Sequence, residues 1–209
     1  MVPLTRDSQQ QKPPTSANLK GFPTRNVSGP LWRAAQRSPW WYCSNGDCRF
    51  DLQDPYGTCY LGTDELVGIL ESIGAEISNG LISSVYLDTR KLYKWEPEEP
   101  LRLADLVSRG VAGRNVTNEL STMTPYDIPQ QWAEGLAKNT EGILYRSRFD
   151  PGEIARAIAH FGKSGLSSRA IGKGRSIGVG LRRRLESECQ IKVAIPPQLS
   201  QLTIADDPV

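Results

Sequence analysis

Between Asp64 and Ile73 the apolar residues keep a helical spacing: Leu66, Ile69, Leu70 and Ile73 fall at i, i+3, i+4 and i+7. Thr63 is placed to cap this helix, Asp64 and Glu65 oppose the dipole at its start, and Gly74 ends it. Glu71 stands one position beyond the stripe, so its carboxylate should leave the helix at the edge of the buried face. An ordinary exposed glutamate is the alternative that spacing alone leaves open. A second helix is predicted to start with Thr124 as cap, Pro125 at its first position and Asp127 at its third, with Ile128, Trp132 and Leu136 on one face. A third is predicted to open at Asp150-Pro151-Gly152-Glu153, to turn Ile154, Ala157, Ile158 and Phe161 inward, and to stop at Gly162. Strands are predicted at Val85–Thr89 and Lys91–Trp95, a buried strand from Gly142 to Ser147, and a short helix or turn from Leu103 to Arg109. A strand carrying Arg49, a turn, a strand ending at Tyr60 and the Glu71 helix are expected to gather a guanidinium, a phenol and a carboxylate around one cleft.

These elements mix helix and strand without βαβ alternation or a GxGxxG loop, which excludes a doubly wound nucleotide fold and predicts an α+β core. Residues 1–28 are rich in Gln, Pro, Ser and Thr with little apolar periodicity, and are predicted to be disordered. Packing is expected to begin near Leu31, where Trp32, Trp40, Trp41 and Tyr42 raise the aromatic density; these rings suit core or cleft wall before ligand platform. With 209 residues the chain can bury one sizeable core between irregular ends. No apolar run nears the roughly 18 residues of a membrane span, and no basic-then-apolar leader follows Met1, so the expected location is the cytoplasm.

Charge divides the chain. Residues 29–162 hold 13 Lys and Arg against 18 Asp and Glu, whereas 163–184 hold seven basic residues and no acidic ones. Set among Gly and Ser, that basic segment predicts a flexible tail from 163 to 209 whose contribution is electrostatic and dispensable for chemistry. The lack of interleaved aromatic residues argues against nucleic-acid contact by this tail. Cys43, Cys48, Cys59 and Cys189 lack paired CxxC spacing, and His160 is the single histidine, so reduced thiols are expected and no metal site.

Leu31-Trp32-Arg33, Cys48-Arg49-Phe50-Asp51, the run Tyr56 to Gly62, Glu71, and Gly142 to Phe149 together resemble the RES domain, a family named for an Arg, a Glu and a Ser. The resemblance spans roughly residues 29–162 in the right order. It implies an ADP-ribosyltransferase-like fold with a split β-sheet core around an NAD cleft. It also implies a toxin of a bacterial toxin–antitoxin pair that consumes NAD, held in check by an antitoxin protein, with modification of a macromolecule by some members. Carried onto this chain, the trio becomes Arg33, Glu71 and Ser147, with Arg49 and Tyr60 as further cleft residues. Ala34 departs from those members that place a tyrosine directly after the first arginine.

The residue types suit that chemistry on their own terms. The nicotinamide of NAD leaves as a neutral ring from a cationic one and needs no general acid; the difficulty is the cation-like ribose left behind. A carboxylate beside it stabilises the developing charge and can accept from the 2′-hydroxyl, the expected role of Glu71. Arg33 and Arg49 offer planar forks to pyrophosphate oxygens, Tyr60 a ring for nicotinamide or ribose, and Ser147 a hydroxyl for the nicotinamide amide or a phosphate. Structural ion pairs for the arginines and a strand-end cap for Ser147 are the competing readings. Three functions stay open: NAD cleavage by water or phosphate, ADP-ribose transfer to a macromolecule, and non-catalytic NAD binding. Restraint by a partner that plugs the cleft, or by residues 1–28, is expected of any enzyme that drains NAD.

Overall fold

The computed structural model describes residues 10–13, 19–152, 154–169 and 172–196. Its strands and helices are, in chain order, β1 (Thr24–Val27), β2 (Leu31–Ala35), β3 (Trp41–Tyr42), β4 (Tyr56–Gly62), α1 (Glu65–Ile73), β5 (Leu81–Ser83), α2 (Ser84–Asp88), β6 (Lys91–Trp95) and β7 (Leu101–Asp105). There follow α3 (Asp127–Leu136), β8 (Gly142–Tyr145), β9 (Ala157–Lys163), β10 (Gly165–Leu166), β11 (Arg175–Ser176), α4 (Val179–Cys189) and β12 (Lys192–Ala194). Eight of the strands form one sheet in the order β1-β7-β8-β9-β4-β2-β6-β11. The β7–β8 pair is parallel, and its neighbours are antiparallel. The fold class is α+β, a large mixed sheet with flanking helices.

The longest ladder joins β4 to β9, from Tyr56 opposite Lys163 to Gly62 opposite Ala157. Residues 157–160 are buried throughout, as expected of a central strand covered on both faces. This corrects the helix expected to run from Asp150 to Phe161. A continuous apolar run satisfies helical spacing as readily as strand pairing, and partners on both sides decide for the strand. Two further expectations change in the same way. Leu101–Asp105 is a strand because it lies between β1 and β8, and Ser84–Asp88 is a short helix although Val85–Thr89 reads as a strand.

α1 lies across β2 and β4, burying Leu66, Val67, Ile69, Leu70 and Ile73. Asp64, not Thr63, is its cap, accepting from the Val67 amide at 2.8 Å, while the Thr63 hydroxyl accepts from the Arg156 amide. The close approach depends on glycine. A Cβ at Gly62 would come within 2.2 Å of the Gly68 nitrogen, and one at Gly68 within 2.6 Å of the Trp32 carbonyl oxygen. α3 begins at Asp127 and not at Pro125, which leaves Tyr126 just outside the helix.

The basic segment expected to be a flexible tail instead carries β10, β11, α4 and β12. Ile177, Leu181, Leu185 and Ile191 are buried in one cluster with Leu66, Ile69, Leu70 and Ile73 of α1. Arg175 and Arg184 both pair with Glu65 in the first turn of α1. Its positive charges thus accompany an apolar stripe that packs on the helix bearing Glu71. Of the segment expected to be disordered, residues 1–9 and 14–18 lie outside the described residues. In the remainder, Leu19 and Phe22 are core residues, β1 pairs with β7, and the Gln10 side chain accepts from the Thr117 amide at 2.7 Å.

Candidate active site

A cleft of about 850 Å3 opens beside β2 and the C-terminal half of α1. Arg33, Arg49, Tyr60 and Glu71 all line it. Ser147 does not: it is buried, its Oγ accepts from the Phe149 amide at 3.0 Å, and its hydroxyl stands near enough to Glu71 to lower that carboxyl's pKa.

Glu71 projects from the edge of the buried face of α1. Its Oε2 accepts from the Tyr145 hydroxyl at 2.6 Å, with the Ser147 hydroxyl nearby. Burial raises its pKa above the ordinary carboxylate value; the Ser147 and Tyr145 hydroxyls and the nearby charges of Arg49 and Arg148 oppose that rise without cancelling it. Phe149 brings the Ser147 segment against the helix end. A Cβ at Gly74 would sit 2.2 Å from the Phe149 ring, so Gly74 is required there for packing, and its backbone is ordinary right-handed helix.

Arg49 lies in a turn and not in a strand, and that turn is fastened tightly. Asp51 accepts from the Cys48 amide at 3.0 Å and from the Tyr60 hydroxyl at 3.0 Å, Tyr60 in turn accepts from the Phe50 amide at 2.8 Å, and the Thr58 hydroxyl donates to the Phe50 carbonyl at 2.7 Å. The guanidinium is buried, packs 5.3 Å from the Tyr126 ring centroid, and leaves Nε and Nη2 without a hydrogen-bond partner. Burial, and then the like charge of Arg148, lower its pKa. A buried cation with two unmet donors is costly unless an anion completes it. Tyr60 therefore offers the cleft its ring, while its hydroxyl is already committed on both sides. Burial pushes Asp51 up to about 6.

Arg33 reaches the cleft from β2. Its Nη1 donates to the Trp41 carbonyl at 3.1 Å and to the Cys59 sulfur at 2.7 Å. Tyr145, Tyr126 and Arg148 also line the cleft and are not among the site residues that the sequence predicts. Tyr145 carried a usable signal, since a tyrosine inside an apolar strand must find a partner for its hydroxyl. Arg148 falls within the motif from Gly142 to Phe149 without being singled out by it, and Tyr126 lies outside regular elements and carries no signal. Among the described residues, no three or more His, Cys, Asp or Glu are grouped to hold a metal, and no helix is long and apolar enough to cross a membrane.

The arrangement can hold an anion on Arg49 and a developing positive charge beside Glu71 within one cavity. Among solved structures, the fold is that of a chain in the crystal structure of the M. tuberculosis MbcT–MbcA toxin–antitoxin complex. The TM-score is 0.57 over 78% of this chain and 92% of that one, at 10% identity. The RES domain profile matches residues 30–176, and the chain belongs to that family. No curated protein matches the sequence.

Proposed function

We propose that this chain cleaves the bond between nicotinamide and ribose in NAD, as the toxin of a toxin–antitoxin pair. The observation that carries this reading is the pairing, in one cleft, of Glu71, held by the Tyr145 hydroxyl, with a buried Arg49 whose Nε and Nη2 lack hydrogen-bond partners. Arg49 takes the pyrophosphate, with Arg33 beside it. Glu71 faces the anomeric carbon, accepts from the ribose 2′-hydroxyl, and stabilises the cation-like sugar as nicotinamide departs. Tyr145 and Ser147 fix the direction of that carboxylate and favour its charged form. The rings of Tyr60 and Tyr126 wall the site. Membership of the RES family and the likeness to a toxin–antitoxin complex support an antitoxin protein as the restraining partner.

Incubating the purified protein with NAD alone tests this. Free nicotinamide is expected, with ADP-ribose in plain buffer or its 1-phosphate when phosphate is present. Nicotinamide release that requires added macromolecules would move the reaction to ADP-ribose transfer. No release under either condition would remove the proposal.

A further inference from the structure

Arg49 enters the cleft from a turn, and an unfastened turn would let a buried, unpartnered cation swing away. Asp51, Tyr60 and Thr58 hold the turn on its C-terminal side. Its N-terminal side is held from α3. The Gln130 side-chain amide donates to the Gly46 carbonyl at 2.8 Å and to the Cys48 carbonyl at 3.0 Å, the second belonging to the residue directly before Arg49. Tyr126, immediately ahead of the same helix, supplies the ring next to the guanidinium. α3 is itself anchored from behind, where the buried Trp132 donates its indole N–H to the Gln11 carbonyl at 2.9 Å. Gln130 takes no part in the cleft wall.

We propose that Gln130 is a positioning residue that sets the Arg49 guanidinium for the pyrophosphate by clamping the 46–48 carbonyls to α3. The inference rests on the assignment of Arg49 to pyrophosphate made above. Its consequence is a split in kinetics. Loosening the clamp weakens capture of the phosphates and raises KM, while kcat, governed at Glu71, stays. Gln130→Leu removes the donor at similar volume. Gln130→Glu keeps the length, cannot donate, and sets a carboxylate against two carbonyl oxygens, so it serves where the leucine variant folds poorly. A merely structural role would lower the melting temperature and the active fraction, leave the ADP affinity of the folded protein unchanged, and act whether or not Arg49 is present.

Calorimetric titration with ADP decides between them, run on the wild type, both Gln130 variants, Arg49→Ala and Arg49→Ala/Gln130→Leu, with NAD turnover followed in parallel. We expect each Gln130 substitution to weaken ADP binding and raise KM for NAD about tenfold, and Gln130→Leu to add nothing in the Arg49→Ala background. Nicotinamide release by the wild type reports separately on the reaction: coupling of Gln130 to Arg49 in ADP binding by a protein that leaves NAD intact would keep the positioning and discard the cleavage. Unchanged ADP affinity in both Gln130 variants, or an equal loss with and without Arg49, would overturn the proposal.

Discussion

Two buried polar clusters flank the central strands of this protein, and they differ in one respect. Around Glu71 the cluster is incomplete: Tyr145 holds the carboxylate, but Arg49 leaves two nitrogens unmet and faces a cavity. Around His160 the hydrogen bonding is closed, although His160 also lines a second cavity of about 610 Å3: among the described residues, no buried side-chain donor or acceptor there is left unmet. The His160 Nδ1 and the Tyr42 hydroxyl share a bond of 2.8 Å, the Trp95 ring stands edge-on at 5.2 Å, and the Arg169 guanidinium lies 3.5 Å over Trp95. Burial alone does not mark a site, because His160 is as buried as Arg49. Unmet hydrogen-bonding capacity next to open volume does. Breaking the closed cluster should therefore be read in stability, and breaking the open one in chemistry.

The largest effect is expected in the closed cluster at acid pH. Burial and then the charge of Arg169 push His160 down from its ordinary value to about 4. The folded protein thus holds the ring neutral while the unfolded chain binds a proton near 6.5. That contribution is complete above pH 6.5 and is lost as pH falls toward 4; the gap corresponds to about 3 kcal/mol. Denaturant titrations of the wild type and His160→Asn at pH 7 and pH 4.5 should show the wild type losing more stability between the two. The difference between proteins isolates the histidine from Asp51, whose raised pKa makes the fold gain stability over part of the same interval. Equal losses would show that His160 does not titrate with unfolding.

Arg49→Ala is next. In the open cluster it should weaken NAD binding about a hundredfold by calorimetry, since charge-assisted contacts to phosphate are lost. The melting temperature should stay nearly level, because the lost attraction to Glu71 is offset by no longer burying a cation with two unbonded nitrogens. A lower melting temperature would reveal a structural pair instead.

A smaller effect belongs to Tyr145→Phe. Losing one of two hydroxyls should reduce kcat about tenfold. It should also move the acid limb of the pH–rate profile upward, because that hydroxyl favours the charged form of Glu71 and its loss lets burial raise the pKa further. A reduced kcat with an unmoved acid limb would place Tyr145 in ring packing, against Phe50 at 5.1 Å.

The open cluster was more legible in the sequence than its surroundings. Glu71 sits one position beyond a capped apolar stripe; spacing alone leaves an exposed glutamate open, and the RES motifs point it to the cleft. Arg33, Arg49 and Tyr60 were readable as cleft residues through the RES motifs; the turn that carries Arg49 was not, because its order comes from Asp51, Tyr60 and Gln130, which contact it from elsewhere in the chain. Ser147 was placed in the cleft by motif alone, whereas the fold sets it behind Glu71. β9 was misread because Ala157, Ile158, Ala159 and His160 are all buried, and a strand covered on both faces shows no alternation. In the C-terminal segment, the charge count hid Ile177, Leu181 and Leu185, spaced four apart along one buried stripe.

The contrast between the clusters is tested most directly by measuring nicotinamide release from NAD and thermal unfolding side by side for Glu71→Gln and Tyr42→Phe. Glu71→Gln should lose turnover by about a hundredfold or more while its melting temperature stays within about 2 °C of the wild type. Tyr42→Phe strips His160 of its partner; it should melt lower by about 4 °C and keep turnover within about twofold. Retained turnover in Glu71→Gln, or lost turnover with an unchanged melt in Tyr42→Phe, would contradict the assignment of chemistry to the open cluster.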